Sequence, residues 1–249
     1  MRFTILAAEW NAKLVALAKV MNSKVALPIY STFLLELKDG VLRITASDMD
    51  CSRCSTLPVM DMDRANEHNG SLCVTASFLL DSLKNLGDQP VTFEADEENL
   101  SVVIRYNNGQ FDMVGFPAKD YALPGTMGKS VQVTIEASVL NDSIGKSLYA
   151  VGNDDLRPIF SGIYFTKKGD ELQCATTNGS MLVRNTYKVE NDGQEYSFLL
   201  HSRAAKIVRS MTSKSDEKVQ VFITEREVAF QTETDYFRTR LIGKFPILG

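Results

Sequence analysis

The sequence is short of the side chains on which most enzyme active sites and metal sites depend. Its 249 residues include one tryptophan, four cysteines and two histidines, His68 in a polar run and His201 at the start of a predicted helix. No serine lies in a nucleophile elbow, and no His-Glu motif marks a metal-binding helix. These absences argue against an enzyme and indicate that no catalytic residue should be assigned.

The cysteines do not form the pattern of a disulfide framework or a metal site. Cys51 and Cys54 have the two-residue gap of a metal or redox pair, but no second pair or nearby histidine would complete such a site. They follow a predicted strand, in which positions three apart point to opposite faces. We therefore interpret the cysteines as structural and expect neither a metal nor a cofactor.

Long apolar runs and an excess of positive charge are also missing. No segment approaches the roughly 18 uninterrupted apolar residues of a membrane helix, and Glu9, Asn11 and Lys13 interrupt the only candidate for a signal peptide. We expect a cytoplasmic protein without a membrane partner. The 31 acidic residues outnumber 27 basic ones, which argues against a uniformly basic nucleic-acid binder but allows a local basic face.

What the chain does contain is a repeat with a period of 130 residues. The segment Leu-Pro-Ile-Tyr-Ser at 27–31 returns as Arg-Pro-Ile-Phe-Ser at 157–161, and the pairs Leu42 and Leu172, and Asp48 and Asn178, keep the same spacing. A repeat of this kind indicates one module used twice rather than a single catalytic cleft. We predict a first module at 1–125 and a second at 126–249.

Each copy is predicted to run strand, helix, strands, helix, strands. Trp10, Leu14 and Leu17 recur at helical spacing in the first helix. Pro28 should end that region and begin an extended segment, and Thr75 should cap the second helix. The resulting fold class is α+β, a tandem repeat of two modules, each with two helices packed on antiparallel sheets.

One helix is distinctly basic. Residues 202–212 contain no acid, and Arg203, Lys206 and Arg209 recur every three positions, which places them along one side. Such a row can follow phosphates without reading bases. The alternative is an ordinary solvated helix face. The other predicted helices carry Lys13, Lys19, Lys84 and Lys146, each with acids nearby.

Several segments carry a resemblance to a known family. Those in the first copy are Met-Arg-Phe-Thr-Ile at 1–5, Leu-Pro-Ile at 27–29, Thr-Ala-Ser-Asp at 45–48 and Val-Thr-Ala at 74–76. They resemble the first domain of bacterial sliding clamps, the β subunit of DNA polymerase III. Arg157, Leu172, Thr177 and the Gly-Lys-Phe-Pro segment at 243–246 are similar to the second domain of that family.

The resemblance implies a function without catalysis. A clamp is a ring of six such modules around duplex DNA, with helices facing inward, and it tethers a polymerase while sliding. Lys24, Arg157 and Arg203 match positions that contact DNA in the family. Together with the basic residues read from charge, the predicted DNA-binding set is Lys13, Lys19, Lys24, Lys84, Lys146, Arg157, Arg203, Lys206 and Arg209.

The resemblance also implies a pocket for short hydrophobic peptides, through which a polymerase and a clamp loader would bind. Its share in the second domain maps to Phe160, Thr177, Gly179, Leu182 and Pro246. Where the family reads Thr-Asp-Gly-His-Arg-Leu, this chain reads Thr-Asn-Gly-Ser-Met-Leu at 177–182.

The chain matches two of the three modules of a clamp chain, and we expect the third to be absent. Three copies joined head to tail would restore six modules. The alternative is a two-module interaction domain that keeps the fold without encircling DNA.

Overall fold

The computed structural model describes residues 1–21, 27–60, 69–153, 156–213 and 217–243. It divides into two compact units, a first unit at Met1–Pro124 and a second unit at Gly125–Gly249. Within these described ranges, each unit contains two α-helices and two antiparallel sheets.

The first unit begins with a strand that leads directly into a helix, and a second strand and helix follow in the same arrangement. Its elements are β1 (Arg2–Leu6), α1 (Ala7–Ala18), β2 (Thr32–Lys38), β3 (Val41–Ser47), β4 (Cys51–Pro58), β5 (Gly70–Thr75), α2 (Ala76–Leu83), β6 (Pro90–Ala95), β7 (Ser101–Tyr106), β8 (Gly109–Val114) and β9 (Phe116–Pro117). One sheet has the order β1-β6-β7-β8. The other has the order β4-β3-β2-β5-β9.

The second unit repeats this plan. Its elements are β10 (Val131–Glu136), α3 (Ala137–Ser147), β11 (Gly162–Lys168), β12 (Glu171–Thr177), β13 (Leu182–Lys188), β14 (Tyr196–His201), α4 (Ser202–Thr212), β15 (Lys218–Ile223), β16 (Glu227–Gln231) and β17 (Asp235–Arg240). The sheets have the orders β10-β15-β16-β17 and β13-β12-β11-β14. The predicted α+β fold is confirmed.

The helices each bury one face, which leaves the opposite face to solvent. In the first unit, Trp10, Leu14 and Leu17 of α1 are fully buried. The Trp10 ring meets Phe3 and Phe93 edge to face, at centroid distances of 5.4 and 5.8 Å. Because Phe3 on β1 and Phe93 on β6 both contact Trp10, the orientation of α1 on the sheet is fixed. This orientation also determines which side of α1 remains exposed.

Pro28 was predicted to begin an extended segment, and this was wrong. Pro28–Ser31 and Pro158–Ser161 form single turns of 3-10 helix before β2 and β11. The φ angle of proline suits the first helical position, where no N–H is needed, as well as an extended one. Ser31 Oγ closes the first of these turns by donating to the Pro28 carbonyl at 2.6 Å.

The prediction that Thr75 caps the second helix is wrong. Thr75 precedes α2 at the N-cap position, but its side chain forms no capping hydrogen bond. Cys51 and Cys54 follow β3 and themselves lie within β4, where both are buried. None of the helices in the described ranges could span a bilayer, since α1, with 12 residues, falls well short of the roughly 20 required.

Candidate nucleic-acid interface

Helix α4 presents its basic residues on the side away from the core. Its buried residues are Ala204, Ala205, Ile207, Val208 and Thr212. Lys206 and Arg209 are exposed and Arg203 is half-buried. The amphipathic sequence explains this division, because the apolar positions recur at helical spacing and the cations occupy the positions between them. The structure therefore brings the three predicted cations of α4 to one solvent-facing side.

Helix α3 packs beside α4. Asn141 Nδ2 on α3 donates to the carbonyl oxygen of Arg209 at 3.0 Å and lies 3.5 Å from Thr212 Oγ1. A side chain of one helix thus satisfies a carbonyl near the end of the other, where helix carbonyls lack an internal partner. The exposed sides of the two helices form one surface of the second unit.

The predicted lysines differ in whether an acid already neutralises them. Lys146 Nζ lies 2.6 Å from Asp142 Oδ2, and Lys84 Nζ lies 2.8 Å from Asp81 Oδ1. The hydrogen bond from Lys146 lowers the pKa of Asp142, and Tyr187, which donates to the same carboxylate at 2.9 Å, adds to the effect. Within the described ranges, Lys206 and Arg209 form no ion pair. The charge available to a ligand therefore lies mainly on α4.

In the first unit, the positions of two predicted DNA-binding lysines can be explained without DNA, because both lie at helix ends. Lys19 and Lys84 follow the last residues of α1 and α2 as their C-caps, where a cation complements the helix dipole. Lys13 is half-buried. Among the exposed side chains of these helices are also Glu9, Val15, Phe78 and Asp81. The exposed helix residues of the first unit thus include acidic, basic and apolar side chains, whereas all charged side chains of α4 are basic.

His201 supports α4 rather than forming a site of its own. Its Nδ1 accepts a hydrogen bond from the backbone N–H of Arg203 at 3.1 Å and so caps the helix. Desolvation lowers the pKa of His201, and the neighbouring cations Arg203 and Lys206 lower it further. The imidazole is therefore neutral at pH 7, which is the form that can accept this bond.

The predicted peptide-pocket residues lie around the turn between β12 and β13. Thr177 and Leu182 are opposite each other across the two strands. Thr177 Oγ1 donates to the Met181 carbonyl at 2.6 Å and accepts from the Gly179 N–H at 3.1 Å. Gly179 has a φ of +92°, a conformation that favours glycine. Leu182 is 65% exposed, so the turn offers an apolar side chain to solvent.

Phe160 lies beside this turn. A Cβ atom at Gly179 would be 3.8 Å from Phe160 Cε2, which is ordinary van der Waals contact. The Arg157 guanidinium also lies over the Phe160 ring. Its Cζ is 4.8 Å from the ring centroid, which is a cation–π distance. The structure therefore brings Phe160, Thr177, Gly179 and Leu182 together, and it places the predicted DNA-binding residue Arg157 against Phe160.

The sequence did not reveal the part of Gly152 in this arrangement. Its N–H donates to the Phe160 carbonyl at 2.7 Å. A Cβ atom there would lie only 3.1 Å from Phe160 Cβ and 3.3 Å from the Asn178 Cα. The close approach of three chain segments explains the glycine. A glycine just after a predicted helix was the only signal in the sequence. The predicted residues Lys24 and Pro246 lie outside the described residues.

Two of the buried cysteine thiols, Cys73 and Cys174, are poor nucleophiles. Burial raises the pKa of the Cys73 thiol to about 11 and that of Cys174 to about 12, so both are protonated at neutral pH. No group of three or more potential metal-binding side chains occurs among the residues that the structure describes.

Two family models match the chain, one after the other. Residues 1–124 match the N-terminal domain of the DNA polymerase III beta subunit, and residues 134–247 match the central domain of the same protein.

Curated relatives and solved structures agree with these matches. The beta sliding clamp of Staphylococcus epidermidis is 23% identical over 250 aligned positions, and that of Bacillus subtilis is 24% identical over 251. In each case 99% of this chain aligns, and it spans 66% of the relative's length. Crystal structures of the clamps of Pseudomonas aeruginosa and Bacillus subtilis superpose with TM-scores of 0.91 and 0.90, at 21% and 24% identity, again over 99% of this chain and 66% of theirs.

Proposed function

Because the chain belongs to the DNA polymerase III beta subunit family, we propose that it acts as a sliding clamp, a processivity factor that holds a polymerase on duplex DNA without reading its sequence. The observation that carries this proposal is the solvent-facing side of α4, which has three cations and no acid. Contacts from such side chains to phosphates are electrostatic and independent of sequence, as sliding requires.

The proposal treats residues 1–125 and 126–249 as two clamp modules. The division of the chain into compact units after Pro124 supports it, and so does the repeated order of strand, helix and sheet. Six modules make a ring in this family, and three copies of this chain joined head to tail would supply six. The role is that of a non-catalytic accessory subunit in the cytoplasm.

Whether the chain encircles DNA can be tested by measuring its retention on circular duplex DNA. A ring that encloses a duplex stays on a closed circle at moderate salt and slides off once the circle is cut, because no strong contact holds it. Sedimentation of the same chain, with and without the circle, gives its oligomeric state. The ring would be contradicted if the chain remains monomeric at tens of micromolar and is retained equally on circular and linearised DNA.

A second candidate is an interaction module that binds a short hydrophobic peptide without encircling DNA. The exposed Leu182 and Met181, 65% and 45% accessible, beside Phe160 favour it. Titration with a short peptide of polymerase or clamp-loader type, and with the same peptide after its apolar residues are changed to serine, tests this function. Binding of the first peptide alone, together with equal retention on circular and cut DNA, would support this function, and binding of neither peptide would exclude it for this chain.

A further inference from the structure

A glycine in the last turn of α3 contacts an arginine of α4. A Cβ atom at Gly145 would lie 3.1 Å from Nη2, 3.2 Å from Cζ and 3.3 Å from Nε of Arg209. Because three atoms of the planar guanidinium are at nearly the same distance, the group lies with its face against Gly145. A Cβ atom at this position would make the guanidinium shift by a few tenths of an ångström, and a longer side chain would compete with it for the same space.

The contact is supported by the backbone on both sides. Asn141, one turn before Gly145 on α3, donates from Nδ2 to the carbonyl oxygen of Arg209 at 3.0 Å. The hydrogen bond holds the Arg209 backbone beside α3, and the missing side chain at Gly145 gives the guanidinium a flat surface to lie on. Glycine has a low helix propensity, and the space that its missing side chain leaves for Arg209 is a local reason for its presence in α3.

The chemistry of the guanidinium makes this arrangement suited to an anion. Its five N–H groups point outward in the plane of the group, and the face carries none. Packing the face on Gly145 therefore leaves the donors free while it restricts the motion of the side chain. A restricted arginine loses less entropy on binding and can offer two parallel hydrogen bonds to one phosphate.

We propose that Gly145 is a positioning residue, which holds the Arg209 guanidinium flat across α3 so that its N–H edge binds a backbone phosphate of duplex nucleic acid. This inference rests on the proposed function, and it singles out Arg209 from the other basic residues. Lys146, next to Gly145 in the chain, is already paired with Asp142, whereas Arg209 forms no ion pair in the described ranges.

The first arm of the test measures the contact without DNA. Gly145→Ala is made in the wild-type chain and in an Arg209→Ala background, and thermal unfolding is followed. Without the arginine, the higher helix propensity of alanine should raise Tm by about 2–4 °C. With the arginine present the gain should be smaller, because the guanidinium has to move away. Equal gains in both backgrounds would show that the two residues do not interact.

The second arm measures binding of a fluorescent duplex of mixed sequence over a range of salt concentrations. Arg209→Met keeps an unbranched side chain and removes the charge, while Gly145→Leu fills the position of the guanidinium. Each should weaken binding about fivefold and make the slope of log K against log salt shallower by about 1. The double variant should bind no more weakly than Arg209→Met alone, because both changes remove one contact. Gly145→Ala, which disturbs packing least, should weaken binding about twofold.

Ser138→Leu is the matched control. Ser138 is exposed on α3 and lies two turns before Gly145, so leucine there adds the same apolar bulk away from Arg209. Its binding should equal that of the wild-type chain. If both Gly145 variants bind like wild type while Arg209→Met is weakened, the positioning role is wrong and the proposed DNA contact stands. If the wild-type chain binds no duplex at low salt, the proposed function fails, and this inference with it.

Discussion

Single ionisable residues differ in how much the fold depends on their charge. Lys167 on β11 is 3% exposed, and its ammonium donates to Asp192 Oδ1 at 2.5 Å and to the Gln194 carbonyl at 3.1 Å. Lys188 on β13 pairs with Asp170 at 2.9 Å, but both of these side chains are exposed. The lysine hydrogen bonds lower the pKa of both aspartates. The two ion pairs therefore differ in whether the lysine is buried, as Lys167 is, or exposed, as Lys188 is.

Asp192→Asn should therefore destabilise the chain, whereas the matched change Asp170→Asn should not do so measurably. Asparagine keeps the acceptor oxygen but leaves the buried Lys167 ammonium without a counter-charge. We expect a loss of about 1–2 kcal/mol in the free energy of unfolding, because Asp192 is itself partly exposed to water. Urea titration at pH 7 measures both variants, and equal midpoints would contradict this account of the buried lysine.

The capping role of His201 predicts a dependence of stability on pH. The folded chain lowers the pKa of His201 from its ordinary value of 6.5, so the unfolded chain binds the proton more readily. The contribution of the cap is fully present above pH 6.5 and is lost as the pH falls through the lowered pKa. His201→Ser keeps an acceptor at the N-cap but cannot titrate. Between pH 7.5 and pH 5, Tm of the wild-type chain should fall further than Tm of the variant, and parallel curves would rule out this role.

At the scale of elements, helix pairs and tight turns position the candidate sites. The α3–α4 pair forms the basic surface, and the turn between β12 and β13 carries the apolar residues beside Phe160. Both arrangements depend on close approaches that only small residues permit, Gly145 in the first and Gly152 in the second.

Gly152→Ala should weaken the structure around Phe160. The added Cβ would lie 3.1–3.3 Å from Phe160 and Asn178 atoms, of which the Phe160 carbonyl oxygen and the Asn178 Cα belong to backbone that cannot swing aside. We expect a destabilisation of about 1–3 kcal/mol, as for overpacked cores. Gly128→Ala is the control, since nothing lies within 4 Å of its Cβ position. Chemical denaturation of both variants checks this, and unchanged stability of Gly152→Ala would show that the segments separate freely.

The Asp142–Lys146 pair predicts a gain of function. Asp142→Asn removes a negative charge from the α3 surface and releases Lys146 from its ion pair. Because an exposed pair of this kind is weak, duplex binding should become about two- to threefold tighter. Asp170→Asn removes a charge from the turn between β11 and β12, away from α3, and serves as the control. Fluorescence anisotropy at low salt measures both, and no gain from Asp142→Asn would indicate that α3 does not face the DNA.

For the whole molecule, a net charge of −4 and a basic α4 surface exist side by side. Net charge opposes the approach of DNA at long range, whereas the α4 cations act within about a Debye length, roughly 10 Å at 0.1 M salt. Binding should therefore be weak, and weak binding suits the sliding along the duplex that we propose.

The dependence of binding on salt follows from this arrangement. If Arg203, Lys206 and Arg209 each neutralise one phosphate, log K should fall with log salt with a slope of about −3. Duplexes of different sequence should give the same affinity, because phosphates carry no sequence information. Anisotropy titrations between 20 and 200 mM salt provide the slope. A strong preference for one duplex would contradict the proposed function.

The sequence by itself determined the repeat, the α+β class and the buried faces of the helices, because periodic apolar residues record which side of an element meets the core. Trp10, Leu14 and Leu17 are examples. It predicted an extended chain at Pro28 where the structure has a helical turn, since the φ of proline fits both conformations. Only the tertiary structure decided which cations are already paired and where Arg209 lies, because Gly145 and Arg209 are far apart in the chain and meet through the packing of two helices.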